Sequence, residues 1–234
     1  MNASLSEDAP TVYTLDLAIL LYRAGDTNSL AMRYDVRSDA AGALRLADGR
    51  FASGSLVNEL LELLDNAPLS YVPPNVIAHA RDAVAWYEPA ANQTMYFDAD
   101  RDRAVSAFDG KVIPQPPLVF IATKRSLRVF ALQQDARPDL TTPLCDAPYW
   151  NTYESGVICL GSMKIPARID PSATAQWTRS FFRSSFTHLT TGKRWAHRGT
   201  YAELLADAVK LGRFDPAWLK SARGTTIKSV ICGD

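Results

Sequence analysis

"APYWNTYESGVICLGSM", Ala147 to Met163, decides how the rest of this 234-residue chain is read. It places Cys159, one of three cysteines, just after a glycine and inside the apolar run Val157-Ile158-Cys159-Leu160. Two readings compete. The run is a buried strand in which cysteine serves as a small hydrophobe, the commonest fate of a free thiol. Or the Gly156 turn brings a nucleophile to a surface. The run does not choose between them, so the flanking chain must.

Downstream of Cys159 the pattern is helical. Asp170-Pro171 predicts a helix start with proline at the first helical position. Trp177, Phe181 and Phe182 then supply an apolar stripe. Thr200 to Glu203 fits a capping box opening "YAELLADAVKLG", and Asp215-Pro216 begins a last short helix. Upstream, "DARPDLTTPLCDAPYW" (135–150) carries no periodicity and reads as an irregular surface loop.

Before that loop, from about residue 83, strand follows strand. "AVAWYEPA" and "QTMYFDA" flank an "AANQ" turn, followed by "VSAFDGKVI", "PPLVFIAT" and "SLRVFALQ". Leu127, Val129 and Ala131 alternate with Arg128 and Phe130, which predicts an antiparallel meander with one face covered. Nearer the start, "TVYTLDLAILLYR" and "SLAMRYDVR" flank a turn-like "AGDTN", and "ALRLADG" is a further short strand. Leu56, Leu60, Leu63 and Leu64 share one face of a helix that Ser53 or Ser55 can cap. Pro73-Pro74 marks a break. The order gives an α+β fold, with a strand-and-helix elaboration over 1–75 and a main domain over 76–234, or one continuous domain.

Composition narrows the function. Lysines and arginines number 25, as do aspartates and glutamates, so no global charge argues for nucleic acid or an anionic membrane as partner. No apolar run is long enough to span a bilayer, and "MNASLSEDAP" lacks the basic start and apolar core of a secretion signal; a reducing cytoplasm is the expected setting. Cys145, Cys159 and Cys232 fit no zinc or redox spacing, and His79, His188 and His197 are scattered, so neither metal nor cofactor is expected. "TGKRWAHRGT" (190s segment) gathers cations around Trp195 but reads as a solvated loop.

Asn151, Gly156, Ile158, Cys159 and Leu160 together resemble the active-site stretch of ubiquitin-conjugating enzymes, in which a His-Pro-Asn triplet precedes a turn and the catalytic Cys-Leu. Asn151 stands at the matching interval, whereas Tyr149 and Trp150 occupy the His and Pro places. The run Ala147–Gly161, the approach Arg137-Pro138 and the block "FFRSSFTH" (Phe181–His188) are similar to PRTRC system protein B, a prokaryotic ubiquitin-conjugating-enzyme-like family. The resemblance extends from Leu15 to His188. It implies an antiparallel meander packed on helices, with a ThiF-like activating enzyme and a small ubiquitin-like protein as partners. Cys159 would accept the ubiquitin-like carboxyl terminus as a thioester and pass it to an amine.

Under that resemblance Asn151 either donates to the developing oxyanion or braces the loop. Tyr149 and Trp150 either line a channel for an extended tail or pack the loop down. His188 is a candidate base for the incoming amine, or a helix-end cap. Gly156 and Leu160 hold the turn and the nucleophile. Cys159 is expected to be part-exposed and to alkylate faster than Cys145 or Cys232, which read as structurally neutral. Two other functions stay open: a non-catalytic adaptor, and a cysteine hydrolase, which requires a histidine presented to Cys159.

Overall fold

The computed structural model describes residues 15–24, 28–56, 58, 71–98, 102–190 and 192–232. The chain divides into two compact units, 1–70 and 71–234. In the first, β1 (Leu17–Ala24) and β2 (Asn28–Ser38) form an antiparallel pair running from Leu17 opposite Asp35 to Ala24 opposite Asn28. The short β3 (Leu44–Leu46) and β4 (Arg50–Phe51) both add to β2. A helix begins at Gly54, where Ser53 Oγ accepts the Leu56 N–H at 3.3 Å. The hairpin tip 25–27 and Leu60, Leu63 and Leu64 lie outside the described residues.

The second unit is built on an antiparallel six-stranded sheet. Its strands are β5 (Val76–Ala80), β6 (Ala83–Glu88), β9 (Leu118–Thr123), β10 (Leu127–Ala131), β11 (Pro143–Asp146) and β13 (Ser221–Thr226), adjacent in that order. A smaller sheet joins β7 (Ala91–Phe97) to β8 (Lys111–Gln115) antiparallel and to β12 (Ser185–Phe186) parallel. The helices are α1 (Arg103–Ser106), α2 (Thr174–Phe182), α3 (Tyr201–Leu211) and α4 (Ile227–Ile231).

Four expectations are corrected. The strands around "AANQ" are no hairpin: β6 pairs with β5 and β9, while β7 leaves for the small sheet. Pro89 has no N–H to extend the ladder, and the Trp86–Phe120 stack at 5.1 Å seats β6 on β9. "VSAFDGKVI" is the end of a helical turn followed by β8. Asp102 Oδ1 caps α1 through the N–H groups of Ala104 and Val105, at 3.0 and 3.3 Å.

The meander is covered on both faces. Leu127, Val129 and Ala131 pack with Trp86, Phe120 and Phe181 on one side. Phe130 packs with Tyr87, Ile121, Leu144 and Ile227 on the other. Lastly, 135–150 is not wholly a surface loop, since Leu144–Trp150 is buried. Pairing of β11 with β10 and β13 satisfies its backbone, which lets it go inside.

The helix signals hold. Asp170 Oδ1 accepts the Ser172 N–H at 2.9 Å, and Trp177, Phe181 and Phe182 enter the core. At α3, Thr200 Oγ1 accepts the Glu203 N–H at 3.3 Å while Glu203 Oε2 accepts the Thr200 N–H at 2.7 Å. Thr200→Ala should therefore lower stability by about 1 kcal/mol, read from denaturant midpoints.

These bonds to Thr200 hold the Glu203 carboxyl below its usual range. A lowered folded pKa gives stability that is present above the unfolded pKa and lost as pH falls through the folded one. Acid unfolding of Glu203→Gln should accordingly start from lower stability and show less loss below about pH 4 than the parent.

Candidate active site

Cys159 sits just past a tight hairpin on the edge of the main sheet. Val129 N–H donates to Gly156 O at 2.9 Å and Ile158 N–H to Leu127 O at 3.0 Å, so Gly156–Ile158 pairs with the first half of β10. β11 pairs with the second half, at Phe130 and Ala131. The hairpin closes on itself, with Tyr153 N–H donating to Val157 O at 2.8 Å and Gly156 N–H to Tyr153 O at 2.9 Å. Gly156 takes φ +78°, and a Cβ there would stand 2.5 Å from the Phe130 ring. Only glycine suits both demands.

The hairpin delivers Cys159 directly beside Asn151: its N–H donates to Asn151 O at 2.7 Å. Ile158 and Met163 are buried on either side, Leu160 packs half-buried on the core, and the Met163 N–H closes a turn on Leu160 O at 2.7 Å. Cys159 itself is part-exposed. Neighbours anchor the backbone while the thiol stays within reach of solvent.

Asn151 is the junction of the site. It adopts φ +60°, a left-handed conformation that asparagine tolerates better than most residues. Its Nδ2 donates to Ser185 O at 2.9 Å, and its Oδ1 accepts from Thr187 N–H at 3.2 Å and Thr187 Oγ1 at 3.0 Å. Its N–H donates to His188 O at 2.9 Å, and Thr190 Oγ1 donates to Thr152 O at 2.6 Å. The segment 185–190 is thus laced to 151–152. This bracing role belongs to a buried side chain, 7 % exposed.

His188 lies on that laced segment with its ring exposed and Nδ1 2.8 Å from Thr187 Oγ1. When Thr187 gives its single hydroxyl proton to Asn151 Oδ1, His188 Nδ1 is the donor in that bond. Among the described residues no histidine hydrogen-bonds the Cys159 thiol; the one bond of the His188 ring is to Thr187 Oγ1.

Tyr149 and Trp150 are not channel walls. Tyr149 is 1 % exposed, donates its hydroxyl to Gln115 Oε1 at 2.8 Å, and lies against Phe181, Phe182 and Phe186. Trp150 stacks on Tyr201 with centroids 5.4 Å apart. Aromatic partners on α2 and α3 draw both rings inward, so they fix the loop from beneath.

The other cysteines separate by burial. Cys145 is buried and burial pushes its thiol up, which suits a structural residue. Cys232 is exposed at the end of α4, so access alone does not place Cys159 ahead of it in alkylation rate, contrary to the expectation.

One further element was not readable from sequence. Arg194 Nη2 donates to Asp146 Oδ1 at 2.9 Å, with the two side chains 3 % and 8 % exposed. The same Nη2 reaches Glu154 O at 3.4 Å, which ties the hairpin before Cys159 to β11. No local pattern couples residues 48 positions apart. Ser185 and Thr187 lie in the "FFRSSFTH" block, the one sequence signal that pointed toward the partners of Asn151.

Among the described residues no helix is long and apolar enough to cross a membrane. No curated protein and no solved structure matches the chain. The family model described as prokaryotic E2 family D does match, over residues 53–221, a span that includes Asn151, Gly156, Cys159 and His188. The mixed α+β architecture with antiparallel sheets is consistent with an E2-like fold. With more than two thirds of its length in that match, the chain belongs to prokaryotic E2 family D, a ubiquitin-conjugating-like family.

Proposed function

We propose that this protein is a ubiquitin-like-protein conjugating enzyme of the PRTRC system protein B kind, acting in the cytoplasm with a ThiF-like activating enzyme. The observation that carries the reading is the junction at Asn151: it holds the backbone of the part-exposed Cys159 at 2.7 Å and ties it to the His188 segment. The strands and helix over residues 1–75 are an elaboration added to the conjugating core.

The chemistry is two acyl transfers. The Cys159 thiolate attacks the carbonyl carbon of the activated ubiquitin-like carboxyl terminus. A C–S bond to Cys159 forms, and the bond to the activating enzyme's sulfur breaks with its thiolate leaving. An acceptor amine then attacks the same carbon. The C–N bond forms, the Cys159 thiolate departs, and the amine proton passes to solvent or to His188 acting as base. Each step exchanges a reactive thioester, so a strongly activated thiol is unnecessary. ATP is consumed upstream, by the activating enzyme.

A non-catalytic adaptor is the second reading, favoured by one observation: the Asn151 side chain is already committed to Ser185 and Thr187. The two part on the product. The protein, its activating enzyme, the ubiquitin-like protein, ATP and a lysine-rich acceptor should yield an amide-linked conjugate that survives thiol reductant. Cys159→Ala should yield none. Binding of the ubiquitin-like protein with no conjugate from the parent would assign the adaptor role.

A further inference from the structure

The Asn151 side chain is surrounded by partners that fix which end of its amide is which. Two backbone N–H groups, of Thr187 at 3.2 Å and of His188 at 3.4 Å, converge on one end, which is therefore the oxygen Oδ1. The other end lies 2.9 Å from a carbonyl, Ser185 O, and is the donor Nδ2. Thr187 Oγ1 stands 3.0 Å from the same Oδ1. An amide oxygen only accepts, so the hydroxyl proton of Thr187 lies in that bond.

A hydroxyl has no second proton to give. The contact between Thr187 Oγ1 and His188 Nδ1 at 2.8 Å is then a bond in which the ring donates and the hydroxyl oxygen accepts. This holds in either charge state. In the imidazolium both nitrogens carry protons, and in the neutral ring the one that remains is on Nδ1. The bond to Thr187 thus survives each proton transfer, and Nε2 is where the ring's proton leaves and returns.

We infer that Thr187 is a positioning residue: it holds His188 as the Nδ1–H tautomer and so presents Nε2 as the acceptor for the proton of the incoming amine. The inference rests on the proposed conjugating function for the reaction served, and on hydrogen-bond geometry alone for the tautomer. His188 is exposed, and among the described residues its Nε2 has no hydrogen-bond partner. Its backbone and that of Cys159 are tied to one residue, since Asn151 N–H donates to His188 O at 2.9 Å and Asn151 O accepts from Cys159 N–H at 2.7 Å. His197 shows the opposite arrangement. Its Nδ1 accepts from Gly199 N–H at 3.1 Å, and its Nε2 lies 3.0 Å from Asp207 Oδ2, which marks Nε2 as the donor.

Ring-nitrogen NMR of nitrogen-15-labelled protein at about pH 8.5, above the ordinary histidine range, reads both tautomers without any conjugation activity. The chain has three histidines, and His188→Gln identifies the signal. His188 should be protonated at Nδ1 and His197 at Nε2. Thr187→Val removes the hydroxyl at nearly constant shape and should release His188 to the Nε2–H form that free histidine favours, with His197 unchanged as the control for folding. Thr187→Ser should keep the Nδ1–H form. In single-turnover discharge of the Cys159 thioester to an amine, Thr187→Val should be slowed about tenfold, a part of the roughly hundredfold or more that a general base supplies. Thr187→Ser should run near the parent rate, and Thr187→Val should add nothing to the loss in His188→Gln.

A parent His188 protonated at Nε2, or a tautomer indifferent to Thr187→Val, would overturn the inference. So would a Thr187→Val loss that is undiminished in the His188→Gln background, which would leave Thr187 as a brace for Asn151 alone. If the tautomers are found as stated but no thioester ever forms on Cys159, the hold of Thr187 on the ring stands and the conjugating function fails.

Discussion

Asn151→Ala should cost the fold about 3–5 kcal/mol and slow amine transfer from Cys159 by about tenfold to a thousandfold. Two terms make up the stability loss. Removing the amide leaves Ser185 O and Thr187 N–H without their partner, at about 1–1.5 kcal/mol for each, the low end for an unpaired group because both are only part-buried. Alanine at φ +60° adds about 1–2 kcal/mol of left-handed strain.

The rate loss follows from position. The same amide fixes the carbonyl that Cys159 N–H is bonded to, and a nucleophile displaced by about 1 Å loses on the order of a hundredfold. Asn151→Gly separates the terms, since glycine accepts the backbone angle but supplies no amide: it should regain stability and stay slow. Equilibrium unfolding and single-turnover discharge of a preformed thioester read the two effects. An alanine variant as stable and as fast as the parent would reduce Asn151 to an ordinary loop residue.

Asp146→Ala should be comparably damaging, by about 3–5 kcal/mol, because it strands the Arg194 guanidinium in the core. Arg194 Nε already lies buried without an acceptor, and beside the longer contact to Glu154 O at 3.4 Å its bond to Asp146 Oδ1 at 2.9 Å matters the more.

The pair itself is not a large net source of stability. Burial pushes the Asp146 carboxyl up, and Arg194 and Lys220 draw it back only in part. A folded pKa raised above the unfolded value means that stability is lost as pH rises through that window, so ionising Asp146 opposes folding. An apolar replacement of both partners, Asp146→Leu with Arg194→Met, should therefore recover most of what the single substitution loses. Denaturant midpoints of the three variants decide this. A single variant as stable as the parent would show that water reaches Arg194.

What the sequence disclosed and what it hid divide along physical lines. Local signals carried well: Asp170-Pro171, the Thr200–Glu203 box and the Trp177-Phe181-Phe182 stripe act within a few residues of themselves. The β-rich run from Val119 to Ala131 showed as strands, but not as a sheet covered twice. The residues that cover its far face, Ile227 and its neighbours on α4, follow "SARGTT", a strand with no apolar alternation. β11 hid among prolines, since Pro143-Leu-Cys-Asp is a strand only because β10 and β13 take its backbone.

At the site the pattern from Asn151 to Leu160 was legible because it is contiguous. The partners of Asn151 at 185–188 and the Asp146–Arg194 pair were not legible. They meet across 34 to 48 positions of chain, where folding, and no spacing rule, brings them together.

The central claim is that Cys159 carries the ubiquitin-like protein, and one measurement meets it directly. Cys232→Ser protein is mixed with the ThiF-like activating enzyme, the ubiquitin-like protein and ATP, and its intact mass is taken without reductant. The account predicts a single adduct, released by thiol and mapped to the peptide containing Cys159. Further substitution of Cys159 by serine should give no thiol-labile adduct, and a thiol-resistant oxygen ester in its place is compatible with the same geometry. An adduct on Cys145, or none in the presence of a charged activating enzyme, would contradict the account.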